Sequence, residues 1–240
     1  MKKIILITML SLCVAGSYSE GQTVNLGHQN QEFEICYASN LDPNGDGVFQ
    51  LAELNGDLNG GHYYVTVIEM SASWWPSCFT SLSSFDNFIS QYADNENVFI
   101  FTSLADIGQP YSCNQWGAQG LTGMPLITDD TGSPMFNLFS TCEGTACYFP
   151  STVMIDHTMK VHHMDSGWSS GSASNYVDEM LENLYSSLIL ATFVNLSIDS
   201  STGDGDQLLN PGETFEITFT VNNNSFDLSA NNVQATIQDN

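Results

Sequence analysis

Sulfur and carboxylate are the reactive groups this chain supplies in quantity. Its 240 residues include 6 cysteines, and 27 Asp and Glu stand against 3 Lys and Arg. Cys78 is best placed for chemistry, at the end of the run Ser71-Ala72-Ser73-Trp74-Trp75-Pro76-Ser77-Cys78. A β-branched, apolar run (Tyr63 to Met70) precedes it, and Phe79, Leu82, Phe85, Phe88, Ile89 and Tyr92 follow at helical spacing. The stretch is therefore a strand-to-helix junction, with Pro76 and Ser77 opening the helix. The unpaired N–H groups and positive dipole end of a helix N-terminus favour a thiolate, the form of cysteine that attacks disulfides.

The other cysteines offer pairs. Cys142-Glu-Gly-Thr-Ala-Cys147 is a short loop with a glycine and is the easiest pair to close. Cys113 is a further disulfide candidate, with Cys78 as one partner; otherwise Cys78 stays free. Lying one turn into its helix, Cys78 is expected to be shielded and a weak nucleophile.

Two acidic loops could take a cation. Asp42, Asn44, Asp46, Gly47 and Glu53 fit the twelve-residue EF-hand pattern, in which alternate oxygens wrap calcium and glycine makes the bend. Flanking helices should accompany such a loop, yet Ile35-Cys36-Tyr37 reads as strand, and Asn-Gly and Asp-Gly pairs form tight turns without metal. Both readings stand. The second loop holds Asp199, Asp204, Asp206 and Glu213, and calcium and a solvated turn compete there too. No organic cofactor is expected; calcium is the one ion the pattern suggests. His162-His163 is not a metal pair, since neighbours on a strand point to opposite faces.

The junction at Cys78 resembles the thioredoxin-like superfamily, nearest its extracytoplasmic redoxin (TlpA-like) branch, which writes A-S-W-C-P-P-C here. Ala72, Ser73, Trp74, Pro76 and Cys78 match, while Trp75 stands at the first cysteine. A second match is Phe149-Pro150-Ser151-Thr152-Val153-Met154-Ile155-Asp156, similar to the redoxin run Y-P-T-T-x-x-I-D. The resemblance implies a cis peptide at Pro150, facing Trp74, Trp75 and Cys78 across a groove that the Cys142–Cys147 loop enters. It also implies an α/β, thioredoxin-like fold, a central mixed sheet flanked by helices.

The elements follow that plan. Glu32–Tyr37, His62–Met70 and Asn97–Phe101 read as strands, the last two parallel because a helix of ordinary crossover length joins them. Residues 102–124 are polar and glycine-rich. Pro125–Ile127 is a short strand, Ser133–Phe139 a short helix, and Met159–His163 the hairpin partner of the Pro150 strand. An amphipathic helix over Ser172–Leu190 closes the domain. The organisation expected is a signal peptide over residues 1–19, a thioredoxin-like domain over 25–191, and a partial β-sandwich over 192–240. In this truncated all-β C-terminal segment Phe193–Asp199, Glu213–Val221 and Val233–Ile237 read as strands.

Lys2 and Lys3, the apolar run Ile4 to Val14 and the small residues after it form the signal peptide. A lipid anchor on Cys13 is disfavoured because Leu12 sits where that signal wants a small residue. The expected location is periplasmic or extracellular, with no membrane insertion in the mature chain. Once the signal leaves, Lys160 is the only Lys or Arg. Such a chain repels nucleic acid and anionic membranes and cannot build an arginine clamp for phosphate. Partners are instead protein thiols or disulfides, or an extended peptide.

With Trp75 in the attacker's place, the two-step exchange of the family cannot run at this motif. Three readings remain: exchange through the single Cys78, exchange through a displaced Cys142–Cys147 pair, or a binding module that uses the groove with Trp74 and Trp75. The P-x-x-x-T-x-x-C pattern of peroxiredoxins is absent.

Overall fold

A computed structural model describes residues 17–120, 125–143, 146–188, 191–199 and 216–223. The chain divides into two units, residues 1–181 and 182–240.

The first unit is organised on strand β3. Its elements run α1 (Leu26–Gln29), β1 (Phe33–Tyr37), β2 (Val48–Phe49), α2 (Gly56–Asn59), β3 (Val65–Ser71), α3 (Pro76–Tyr92) and β4 (Val98–Leu104). Then come α4 (Cys113–Gly117), β5 (Ile127–Asp129), α5 (Pro134–Phe139), β6 (Cys142–Glu143), β7 (Ala146–Cys147), β8 (Ser151–Ile155), β9 (Val161–Asp165) and α6 (Ser170–Leu188), whose residues from 182 on belong to the second unit. Seven strands form one mixed sheet in the order β2-β1-β5-β4-β3-β8-β9, and β6 and β7 pair separately. Every residue of β3 is buried, as a strand covered on both faces requires. It runs parallel to β4 and antiparallel to β8.

The two faces of β3 have different neighbours, because successive side chains alternate. Ile68 and Met70 join Phe49, Phe101, Phe139 and Val153 in the main apolar cluster. Glu69 points the other way, into the layer that contains α3. That helix forms because Pro76 opens it and because Cys78, Leu82, Phe85 and Phe88 recur on one buried face. Burial of each large side chain in that row contributes about 2 kcal/mol. Trp168 closes the layer, its ring centroid 4.8 Å from that of Phe85 and 4.9 Å from that of Phe88.

The expected elements are present, with strand ends shifted by up to three residues. The packed unit also begins earlier than residue 25. Ser17 donates its N–H to the Asn137 carbonyl, Gly21 donates to Val161, and Tyr18 stacks on Phe139 at 5.4 Å. The polar look of residues 19–23 hides two apolar anchors, Tyr18 and the buried Val24. The expected signal peptide falls mostly on residues 1–16, outside the described residues.

The second unit contains a two-stranded antiparallel ribbon, β10 (Ala191–Asp199) with β11 (Glu216–Asn223). Asp199 ends β10. Asp204, Asp206, Glu213 and the expected strand Val233–Ile237 lie outside the described residues. No helix among the described residues is long and apolar enough to cross a membrane.

Candidate functional site

The motif loop leaves the C-terminal end of β3 and is fixed from the side. Ser73 donates its N–H to Asp106 Oδ1 at 2.9 Å and its hydroxyl to the Gln109 carbonyl at 3.0 Å. Trp75 is the N-cap residue of α3, at the position where an attacking sulfur would meet the orphan N–H groups. Its half-buried indole packs edge-on against Trp74, with centroids 5.4 Å apart. Trp74 itself is 53% exposed, an unusual state for so large an apolar ring.

The Phe149–Pro150 peptide is cis, as the resemblance implies. The β3–β8 register pairs Met70 with Ser151, which brings Pro150 to the end of β3 where the motif loop departs. The ring of Phe149 stands edge-on to that of Trp74, with centroids 6.5 Å apart, and packs on Phe136 at 4.2 Å. Tyr148, one residue earlier, is exposed. Trp74, Phe149 and the cis proline thus stand together at the end of β3. A second cis peptide, Gln109–Pro110, lies beside it through the Ser73 contact. Residues 102–124 carry no sequence signal that separates a cis from a trans proline, so this one was not expected.

Cys78 is free and fully buried. Its sulfur accepts the Ala72 N–H at 3.5 Å. Burial pushes its thiol up to about 12, the nearby Glu69 carboxyl adds to the shift, and Ser71 and Ala72 offset part of it. At neutral pH the sulfur is a thiol, not a nucleophile. Beneath it, burial raises Glu69 to about 7, against the opposing pull of the Ser71 and Thr102 hydroxyls. Sequence reasoning missed Glu69, although a lone carboxylate inside the apolar run Tyr63 to Met70 is the signal that would have found it. Asp106, beside the motif loop, is also raised, chiefly by burial.

The pairing of Cys113 with Cys78 is corrected. Cys113 is bonded to Cys36, across 77 residues and with Cα atoms 5.9 Å apart. Cys113 opens α4, and α4 lies against β1 because Gly117 has no side chain: a Cβ there would stand 2.6 Å from the Tyr37 ring. Cys78 faces inward from α3 and is out of this pairing. Cys147 is disulfide-bonded and sits directly opposite Cys142 in the β6–β7 ladder.

The first acidic loop lies apart from the groove, at the β1–β2 edge. Glu53 is raised to about 7, first by burial and then by the neighbouring Asp42 and Asp46 carboxylates, while the Gln50 N–H lowers it. Among the described residues no three of His, Cys, Asp and Glu stand together as a ready metal-ligand set.

No family model matches the chain, and no curated protein matches it. Solved structures do. A Chlorobium tepidum protein assigned as thiol:disulfide interchange protein DsbE aligns over 69% of this chain and 99% of its own, at 15% identity and TM-score 0.50. The mitochondrial 2-Cys peroxiredoxin of Plasmodium falciparum aligns over 70% and 98%, at 12% identity and TM-score 0.52. A PrxQ mutant from Xylella fastidiosa aligns over 70% and 99%, at 14% identity and TM-score 0.50. At these identities the likeness is one of architecture: the chain has a thioredoxin-like fold.

Proposed function

We propose that this chain is an exported thioredoxin-fold module that holds an extended polypeptide in the groove of Trp74, Phe149 and cis-Pro150, without disulfide exchange at Cys78. One observation carries the reading: the only free sulfur among the described residues is sealed, while an indole occupies the helix cap where an attacking thiolate would stand. An exposed Trp and an exposed Tyr beside a cis proline form an aromatic anchor site of the kind that dominates recognition surfaces. The formal charge of −24 favours a neutral or basic segment over an acidic one.

The test is a fluorescence titration of the full chain with insulin B chain whose cysteines carry neutral alkyl groups, so that binding cannot be covalent. Saturable binding that Trp74→Ala weakens ~10-fold is expected. Absence of binding, or reduction of intact insulin that Cys78→Ser abolishes, rejects the proposal.

A second reading rests on Cys147, which is half-buried, disulfide-bonded and three residues before the cis proline. Reduced by an outside thiol, the Cys142–Cys147 pair would supply an attacking thiolate. Attack would expel one substrate sulfur as thiolate, and the second cysteine would then close the pair and free the reduced substrate. Insulin turnover that survives Cys78→Ser and vanishes in Cys142→Ser would select this reading over the first.

A further inference from the structure

The loop from Asp42 to Glu53 is built in a way its own hydrogen bonds leave unfinished. Asp42 is 9% exposed and Glu53 is 5% exposed, so both carboxylates are more than nine-tenths buried. Each has one oxygen committed. Asp42 Oδ2 accepts the Gly47 N–H at 2.8 Å, and Glu53 Oε1 accepts the Gln50 N–H at 2.9 Å. The other two oxygens, Asp42 Oδ1 and Glu53 Oε2, are buried with no donor outside the pair; they face each other, a contact that itself raises Glu53. The two carboxyls lie beside each other, with Asp46 near enough to act on Glu53. Two buried anions with idle oxygens turned to one place cost free energy unless a proton or a cation joins them.

The sequence spacing decides between those. Asp42, Asn44, Asp46 and Glu53 are positions one, three, five and twelve of a calcium-binding loop, and Gly47 is its sixth, with φ of 86° at the bend. Position seven, which gives a backbone carbonyl in that pattern, is Val48. Val48–Phe49 then pairs with Glu34 and Phe33 of β1, and the turn Leu51–Leu54 places Glu53. Asn44 and Asp46 are exposed on the rim, and Asn44, Gln50 and Glu53 line a depression that opens to solvent. A proton would join only the buried pair and gives no part to Asn44 or to Asp46, whose Oδ1 accepts the Val48 N–H at 2.9 Å. A cation that takes six to eight oxygens uses all of them.

We propose that residues 42–53 form a calcium site in which Asp42, Asn44, Asp46, the Val48 carbonyl and Glu53 hold the ion. It differs from a paired-helix site, because a sheet hairpin and one helical turn support the loop. Asn44 and Asp46 must swing inward from the rim to complete it. Calcium then fixes the β1–β2 hairpin at the sheet edge. The flexible oxygen shell and the bidentate glutamate favour calcium over magnesium, which demands a smaller octahedron.

The test is thermal unfolding and calorimetric titration of the full chain with CaCl2, with MgCl2 and an EDTA reference alongside. The variants are Glu53→Gln, which keeps the Gln50 N–H contact, and the exposed Asp46→Asn. Calcium should raise the wild-type melting temperature more than equal magnesium does. Both variants should weaken the tighter calcium isotherm at least ~10-fold. In EDTA Glu53→Gln should melt no lower than wild type, since it removes like-charge repulsion; should it fail to fold, Asp46→Asn decides alone. Equal responses to calcium and magnesium mean charge screening and overturn the proposal. So does a calcium response identical in wild type and the foldable variants, which would belong to another acidic loop, or no response at all.

Discussion

Two buried glutamates, Glu69 and Glu53, are pushed by burial to the same value, about 7, yet stand in opposite surroundings. Glu69 lies in the central strand, with the Ser71 and Thr102 hydroxyls beside it and the sulfur of Cys78 above. Glu53 lies at the sheet edge with Asp42 and Asp46. The hydroxyls beside the first favour its charged form and only partly offset burial. The carboxylates around the second push it further toward its neutral form. Burial alone therefore does not tell what an acidic residue is for; the sign and type of the groups around it do. Glu69 lies under a sealed sulfur, and no free cysteine among the described residues is exposed.

Restoring the exposed sulfur is the sharpest way to test that separation. Trp75→Cys places a thiol at the N-cap of α3, where the helix terminus lowers its pKa and Cys78 lies one turn away. Insulin reduction with dithiothreitol should rise from the uncatalysed rate to ~100-fold above it. If the variant folds and stays at background, the groove is not a silenced exchange centre.

The edge that carries Glu53 has its own fastener. Cys36→Ser opens the Cys36–Cys113 bond and should lower stability by about 4 kcal/mol for a closed loop of this length. Hydrogen exchange should show β1 and β2 losing protection while β3, under Glu69, keeps it. Equal loss in both regions would mean that edge and centre unfold as one.

Glu69 should also leave a mark on the pH dependence of stability. Its folded value lies above the ordinary 4.5. Between those pH values the folded chain keeps a proton that the unfolded chain releases, so stability falls as pH rises from 4.5 to 7. The contribution is fully present below 4.5 and gone above 7. Glu69→Gln should flatten that slope by up to about 3 kcal/mol in urea unfolding. Glu53 and Asp130, the latter raised to about 6 by burial, act in the same direction and keep part of it. An unchanged slope would mean that Glu69 is ionised in the folded state.

Trp74→Ala has the smallest expected effect on folding, within about 0.5 kcal/mol, because the ring is mostly in solvent. Its cost should fall on peptide binding instead. A large fall in melting temperature would make Trp74 a packing residue and weaken the groove reading.

The sequence carried the centre of this molecule better than its edges. The run Tyr63 to Met70, Pro76 and the apolar row of α3 were legible because period and helix opening are local. Pro150 was legible because the surrounding run matches a known one. The Cys36–Cys113 bond was not, because it depends on α4 reaching β1 past Tyr37, which only Gly117 permits. The packing of residues 17–24 was not legible for a similar reason: their anchoring partners, Phe139 and Val161, lie more than a hundred residues away. Glu69 was overlooked since its role lies in what surrounds it, and neighbours across strands are not written in chain order. The acidic loop was the reverse case, with its spacing plain and its burial hidden.

The most direct test is the rate at which N-ethylmaleimide modifies Cys78 in the native full chain at pH 8, with the labelled peptide mapped by mass. A buried thiol pushed up to about 12 should stay unlabelled until urea opens the fold. Labelling without denaturant at the rate of a free, exposed cysteine would contradict it, and with it the account of a groove that binds without exchange.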